Sequence, residues 1–185
     1  NMTRLTKSLL IIAICFFSIT TNAQWTSNTD INTLVTSSEG GDMKALGTSS
    51  GKTYVVYWNA VSAPTNYELR LQILDVEGFQ LLGEEGMLVS DEIPMSTFTV
   101  IWNITTDEED NLYIGLTGTG GGEPAYVFKL DDEGNNLWGS GGVQVGAGYS
   151  VTILPLSNGE VIVSWFPGGE SVLQKYDSTG VAQWD

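Results

Sequence analysis

Apolar and polar positions alternate along most of this chain, in short runs broken by clusters of Gly, Asn, Asp and Ser. A period of two marks a strand with one buried face, and Gly-containing polar clusters between such runs mark turns. The clearest alternations cover residues 53–58, 112–116 and 161–165. Each follows a polar turn: Ser49-Ser50-Gly51, Glu109-Asp110-Asn111 and Ser157-Asn158-Gly159. A preceding strand is expected at 43–46, 99–104 and 151–154. Shorter strands fall at Met87-Leu88-Val89 and Val143-Gln144-Val145, with Leu34-Val35 as a degenerate first copy. No stretch beyond residue 24 sustains an apolar period of 3.6, so helix is expected to be nearly absent there.

A repeat underlies this pattern. Leu71-Gln72-Ile73-Leu74-Asp75-Val76-Glu77-Gly78 aligns with Val127-Phe128-Lys129-Leu130-Asp131-Asp132-Glu133-Gly134 and with Leu173-Gln174-Lys175-Tyr176-Asp177-Ser178-Thr179-Gly180. Each reads as a strand running into an Asp-x-x-Gly turn, where the carboxylate accepts backbone N–H groups and the glycine supplies a positive φ. Four residues after each glycine stands a large apolar residue, Leu82, Trp138 or Trp184, and Trp25 looks like an earlier copy. Core packing is the reading given to these recurring tryptophans, ahead of ligand stacking. Four antiparallel strands per unit is the arithmetic of a β-propeller blade. The expected architecture is all-β and propeller-like, with units of about 25–81, 82–137 and 138–183. Three such units make an incomplete propeller, and the chain is read as truncated at its C-terminus.

The unit Leu-x-x-Leu/Tyr-Asp-x-x-Gly-x-x-x-Trp-Gly-x-x-Gly resembles the secreted propeller-type repeats of gliding bacteria. That resemblance spans residues 25–185 and implies an extracellular or cell-surface protein of the group that usually carries a type IX secretion sorting domain. The motif is also similar to the tryptophan-docking motif of quinoprotein-like propellers, with one residue fewer between Asp and Gly.

The first residues agree with export. Arg4 and Lys7 precede an apolar run over residues 9–19, and Thr21-Asn22-Ala23 offers a cleavage site, so residues 1–23 are expected to be a signal helix removed after Ala23. The run is too short for a membrane anchor, which needs about 20 apolar residues. Processing leaves five of the 7 basic residues against 22 acidic ones, a net charge of −17. Such a chain repels nucleic acid and anionic membranes. It also removes Cys15, the single cysteine, and there is no histidine, so the commonest residues of zinc sites and imidazole catalysis are missing.

Candidate chemistry is sparse. Asp107-Glu108-Glu109-Asp110 and Asp131-Asp132-Glu133 could gather oxygen ligands for calcium, but neither has EF-hand spacing, and both are expected to be solvated turns. Gly118-Thr119-Gly120-Gly121-Gly122 lacks the lysine and helix of a phosphate loop and is expected to be a hairpin loop. Asn103-Ile104-Thr105 fits a glycosylation acceptor only by accident of its strand context. No catalytic, cofactor-binding or metal residue and no cofactor is assigned. The residues singled out are those of the repeat: Asp75, Gly78, Leu82, Asp131, Gly134, Trp138, Asp177, Gly180 and Trp184. The expected function is a non-catalytic scaffold that binds a glycan or protein partner through its loops. The alternative is part of an extracellular glycosidase-type hydrolase, whose paired carboxylates lie partly in other blades.

Overall fold

The computed structural model describes residues 30, 32–62 and 66–184, so the expected signal helix and Trp25 lie outside the described residues. Within the compact unit Asn32–Asp185 the described chain is all-β, with no helix. Strands β1 (Gly40–Gly47), β2 (Thr53–Ser62), β3 (Asn66–Leu74) and β4 (Met87–Ser90) form one antiparallel sheet in that order. Strands β5 (Val100–Thr106), β6 (Leu112–Thr117), β7 (Pro124–Leu130) and β8 (Val143–Ala147) form a second, and β9 (Tyr149–Pro155), β10 (Val161–Phe166) and β11 (Val172–Tyr176) a third. The first strands β1, β5 and β9 lie against one another, which makes them the inner strands of a propeller-like row of blades.

Pairing sets the phase of the repeat differently from the sequence reading, which places the short strand after Gly-x-x-Gly first in its unit. Here Leu71 pairs with Met87, Arg70 with Leu88 and Leu69 with Ser90, so that strand closes the preceding sheet as its fourth. The reason is local: the Asp-x-x-Gly turn is a hairpin tip, and it sends the chain back alongside the strand it has just left. Bridges Leu74–Gln80 and Leu130–Asn136 begin that return.

The alternation becomes packing between sheets. On β2, Tyr54 and Val56 face the second sheet and meet Ile114, Leu116 and Phe128 in one buried cluster. Tyr113 on β6 points the other way, into a second cluster with Val127, Val151 and Val161. Every residue of β6 is therefore buried, because this strand has a neighbouring blade on both faces. Each large apolar side chain so buried contributes roughly 1.5–3 kcal/mol. Gly115 lets the third sheet approach: a Cβ there would lie 2.8 Å from Val151 Cγ1.

Candidate functional site

Antiparallel order gives the row two different ends. One carries the turns between first and second strands together with the three Asp-x-x-Gly turns. The other carries the β2–β3, β6–β7 and β10–β11 loops and the links from each sheet to the next.

At the first end the repeat residues form one structure three times. Asp75 Oδ1 accepts N–H groups from Glu77 and Phe79 at 3.0 and 2.8 Å. Asp131 Oδ1 accepts from Glu133 and Asn135 at 3.0 and 2.7 Å, and Asp177 Oδ1 from Thr179 and Val181 at 2.9 and 3.0 Å. Gly78, Gly134 and Gly180 close these turns at φ of 89°, 94° and 86°. After the first two turns the large apolar residue reaches the next blade. Trp138 donates its Nε1–H to Ser178 O at 2.9 Å, stands edge-on to Tyr113 at 6.1 Å, and packs under Gly180. Leu82 packs against the core between the first two sheets. Trp184 has its backbone held by Gln174, which accepts its N–H at 3.0 Å and donates to its carbonyl at 2.9 Å.

Asp107-Glu108-Glu109-Asp110 is the β5–β6 turn, but only part of it matches the solvated turn expected. Asp110 is 7% exposed. Its carboxylate accepts the Ser49 N–H and Oγ–H at 3.0 and 2.9 Å and the Ser50 N–H at 3.1 Å, clamping the corresponding turn of the first blade. Desolvation pushes this carboxyl up, and the hydrogen bonds from Ser50 and Ser49 outweigh it, so the group lies below its ordinary value. Asp107 Oδ1 accepts the Glu109 and Asn111 N–H groups at 3.0 and 2.9 Å, and its Oδ2 the Tyr113 hydroxyl at 3.0 Å. Burial, and then the Asp107 charge, raise the Tyr113 phenol above its usual range. These carboxylates are thus occupied by protein donors. Among the described residues no group of three or more His, Cys, Asp or Glu is placed to hold a metal ion.

The opposite end presents an exposed aromatic pair. Trp102 stands near the start of inner strand β5 and Tyr149 opens β9, with ring centroids 6.4 Å apart at 80°. The two residues are 38% and 39% exposed. The indole is nevertheless fixed, since Trp102 Nε1–H donates to Thr117 Oγ1 at 2.8 Å and that hydroxyl donates to Gly148 O at 2.7 Å. Two carboxylates flank the pair. Asp42, near the start of inner strand β1, accepts the Ile101 N–H and faces the Lys44 ammonium at 3.5 Å. Glu123 accepts a hydrogen bond from Tyr149 and thereby raises the phenol's pKa. Asp42, Glu123 and Ser150 have φ of 44°, 52° and 55°, so three non-glycine residues of this rim hold left-handed backbone. Such conformations cost about 1–3 kcal/mol each and gather at functional sites.

Beside the rim, a cleft of about 470 Å³ lies between the β2–β3 hairpin and the β4–β5 link, lined by Tyr67, Glu68, Asp91, Ile93 and Met95. Tyr67 stands edge-on to Trp58 at 5.4 Å, and Trp58 lies over Gly41, next to Asp42. Tyr67 and Trp58 thus link the edge of the cleft to β1 beside Asp42.

Sequence reasoning left this rim unassigned. Trp102 is visible as a tryptophan outside the repeat, but Asp42, Glu123 and Tyr149 belong to no motif. It also missed Gln72, whose Oε1 accepts the Ile73 and Leu82 N–H groups at 3.0 and 3.1 Å as Gln174 does for Lys175 and Trp184. The signal was present in Leu71-Gln72 and Leu173-Gln174, and interrupted by Val127-Phe128.

The fold and the rim define an all-β, propeller-like repeat protein. No family model and no curated protein matches the chain. Among solved structures it is similar to the endo-1,5-α-L-arabinanase of Thermotoga petrophila, with 18% identity and a TM-score of 0.43 over 76% of this chain and 38% of that one. It is also similar to an endo-arabinase of Bacteroides thetaiotaomicron, with 13% identity and a TM-score of 0.43 over 76% of this chain and 59% of that one. The chain spans less than two thirds of either protein. Both are enzymes, which corrects the expectation that the present chain is not one. A lack of histidine is no obstacle to hydrolysis by paired carboxylates, and a propeller of turns and strands carries a site as readily as a scaffold does.

Proposed function

We propose that this chain forms the glycan-holding blades of an exported, glycosidase-type propeller, with the Trp102–Tyr149 pair as the sugar platform. The carrying observation is that pair: two exposed rings, the Trp102 edge pinned by Thr117, between the carboxylates of Asp42 and Glu123. Sugar rings present C–H faces to an aromatic ring and hydroxyls to acceptors at its edge, and this rim offers both. Glycosidic hydrolysis needs two carboxyl groups across the scissile bond, separated by about 5–10 Å. Asp42 supplies one. The second comes from Glu123 or from a sheet outside this chain.

Retention on a panel of immobilised polysaccharides tests the reading. One polysaccharide is expected to retard the protein, and Trp102→Ala or Tyr149→Ala to weaken retention by about tenfold, equivalent to ~1.4 kcal/mol. Asp42→Asn is expected to keep binding and to abolish release of reducing ends by the full-length protein. A protein that no polysaccharide retards, or whose retention ignores Trp102 and Tyr149, overturns the proposal.

A further inference from the structure

The run Gly118-Thr119-Gly120-Gly121-Gly122 is the β6–β7 loop, and the rim described above takes only the residue that follows it, Glu123. The loop belongs to the second sheet, which has a blade against each face. Both of its ends are fastened. Gly118 N–H donates to Pro124 O at 2.9 Å and Thr119 N–H to Pro94 O at 2.8 Å, while Glu123 N–H donates back to Gly120 O at 3.3 Å. Glu123 O accepts the Gly148 N–H at 2.9 Å, and the Glu123 carboxylate accepts a hydrogen bond from Tyr149. Pro94 stands between Ile93 and Met95 of the cleft, so one end of the loop is tied to the cleft margin and the other to the Trp102–Tyr149 pair.

The middle of the loop is bare. Gly120, Gly121 and Gly122 are exposed, and among the described residues their N–H groups meet no acceptor. Gly122 requires a glycine, since its φ is 97°. Gly121 does not: its φ is not positive, and an added Cβ would meet nothing within 4 Å. Among the described glycines only Gly47, at the opposite end of the row, shares both properties. A glycine of this kind weakens the fold, because the unfolded chain has more freedom to lose than it would with alanine. What the fold does not require of Gly121, a ligand that approaches the backbone closely does.

We propose that Gly121 is the point where a bound glycan lies against the main chain, residues 120–122 forming a wall of N–H donors beside the Trp102–Tyr149 pair. The inference rests on the reading of that pair as a sugar platform. A sugar ring resting on an aromatic face turns its hydroxyls outward, and each hydroxyl both donates and accepts. Asp42 and Glu123 bring acceptors to the rim, and the loop brings donors. A side chain at position 121 would hold the sugar off by the width of a methyl group and lengthen those bonds.

Gly121→Ala isolates the contact, because the backbone there accepts alanine and nothing crowds it. On the polysaccharide that retards the unaltered protein, Gly121→Ala is expected to weaken retention about tenfold, the scale of one misfitted methyl group in a binding site, and Gly121→Leu to weaken it further. The melting temperature of Gly121→Ala should equal or exceed that of the unaltered protein. Gly47→Ala, the same change away from the rim, should leave retention as it was. Retention indifferent to Gly121→Ala, while Trp102→Ala still lowers it, overturns the donor wall and leaves the platform standing. A fall in melting temperature with Gly121→Ala overturns the wall as well, since the glycine would then serve the fold. An unaltered protein that no polysaccharide retards overturns both.

Discussion

Asp110 occupies a position that two other blades give to glycine. Gly51 and Gly159 end the equivalent turns at φ of 87° and 77°, and Asp110 ends its own at 60°. An aspartate adopts that backbone less readily than glycine, and the compensation is the clamp on Ser49 and Ser50. Two substitutions separate the terms. Asp110→Gly relieves the backbone but releases the two N–H groups, while Asp110→Asn keeps the shape and loses the charge. We expect Asp110→Gly to be destabilising by about 1–3 kcal/mol despite its easier backbone. A hydrogen bond to a charged group contributes about 1.5–3 kcal/mol, and water replaces part of it at the exposed serines. Chemical denaturation measures it, and an unchanged or raised stability would mean the clamp is idle. The acid limb follows from the sign of the shift. A carboxyl whose folded pKa lies below its unfolded 3.8 contributes stability that is complete above that value and lost as pH falls through the folded one. Wild type should therefore lose stability below pH 3.8 more steeply than Asp110→Asn, as read by melting temperature against pH.

At the scale of elements, the Asp-x-x-Gly hairpin joins neighbouring blades as well as neighbouring strands. A Cβ at Gly134 would lie 2.6 Å from Met87 Cε of the first blade's outer strand, whereas one at Gly139 meets nothing within 4 Å. Both glycines have positive φ, 94° and 86°. Gly139→Ala should thus cost the conformational term alone, about 1 kcal/mol, and Gly134→Ala about 1–2 kcal/mol more. For a chain of this size each kcal/mol lowers the melting temperature by roughly 2–4 °C. Equal losses would show that blade contact at Gly134 adds nothing. These hairpins were legible in the sequence because turn chemistry is local: Asp75, Asp131 and Asp177 accept backbone N–H groups within four residues. Which strand pairs with the segment 87–90 was not, since a strand reads the same whether it opens one sheet or closes another. The rim was illegible for a related reason. Asp42, Trp102, Glu123 and Tyr149 come from three blades and meet only because β1, β5 and β9 are neighbours at the centre.

For the whole molecule, charge is the first constraint on behaviour. A net −15 sets turn carboxylates against one another, and many of them, Asp107 and Asp131 among them, are already occupied by backbone N–H groups. Screening at ~0.15 M salt, where the Debye length is about 8 Å, should raise thermal stability smoothly. Calcium at fixed ionic strength should add little. A saturable calcium-dependent rise of several degrees, removed by Asp107→Asn, would instead mean a specific site, because only a ligand bound to the native state stabilises by mass action.

Each sheet takes its strands from one unbroken stretch of chain, 40–90, 100–147 or 149–176. Contacts of this kind are short in sequence, and short-range contacts form early and fast. A chain leaving the ribosome can therefore complete its first blade once residue 90 has emerged, and add the others in order, each on a finished surface. The segment 34–37 stands outside that order: it is made before any of the three sheets, and among the described residues no strand pairs with it.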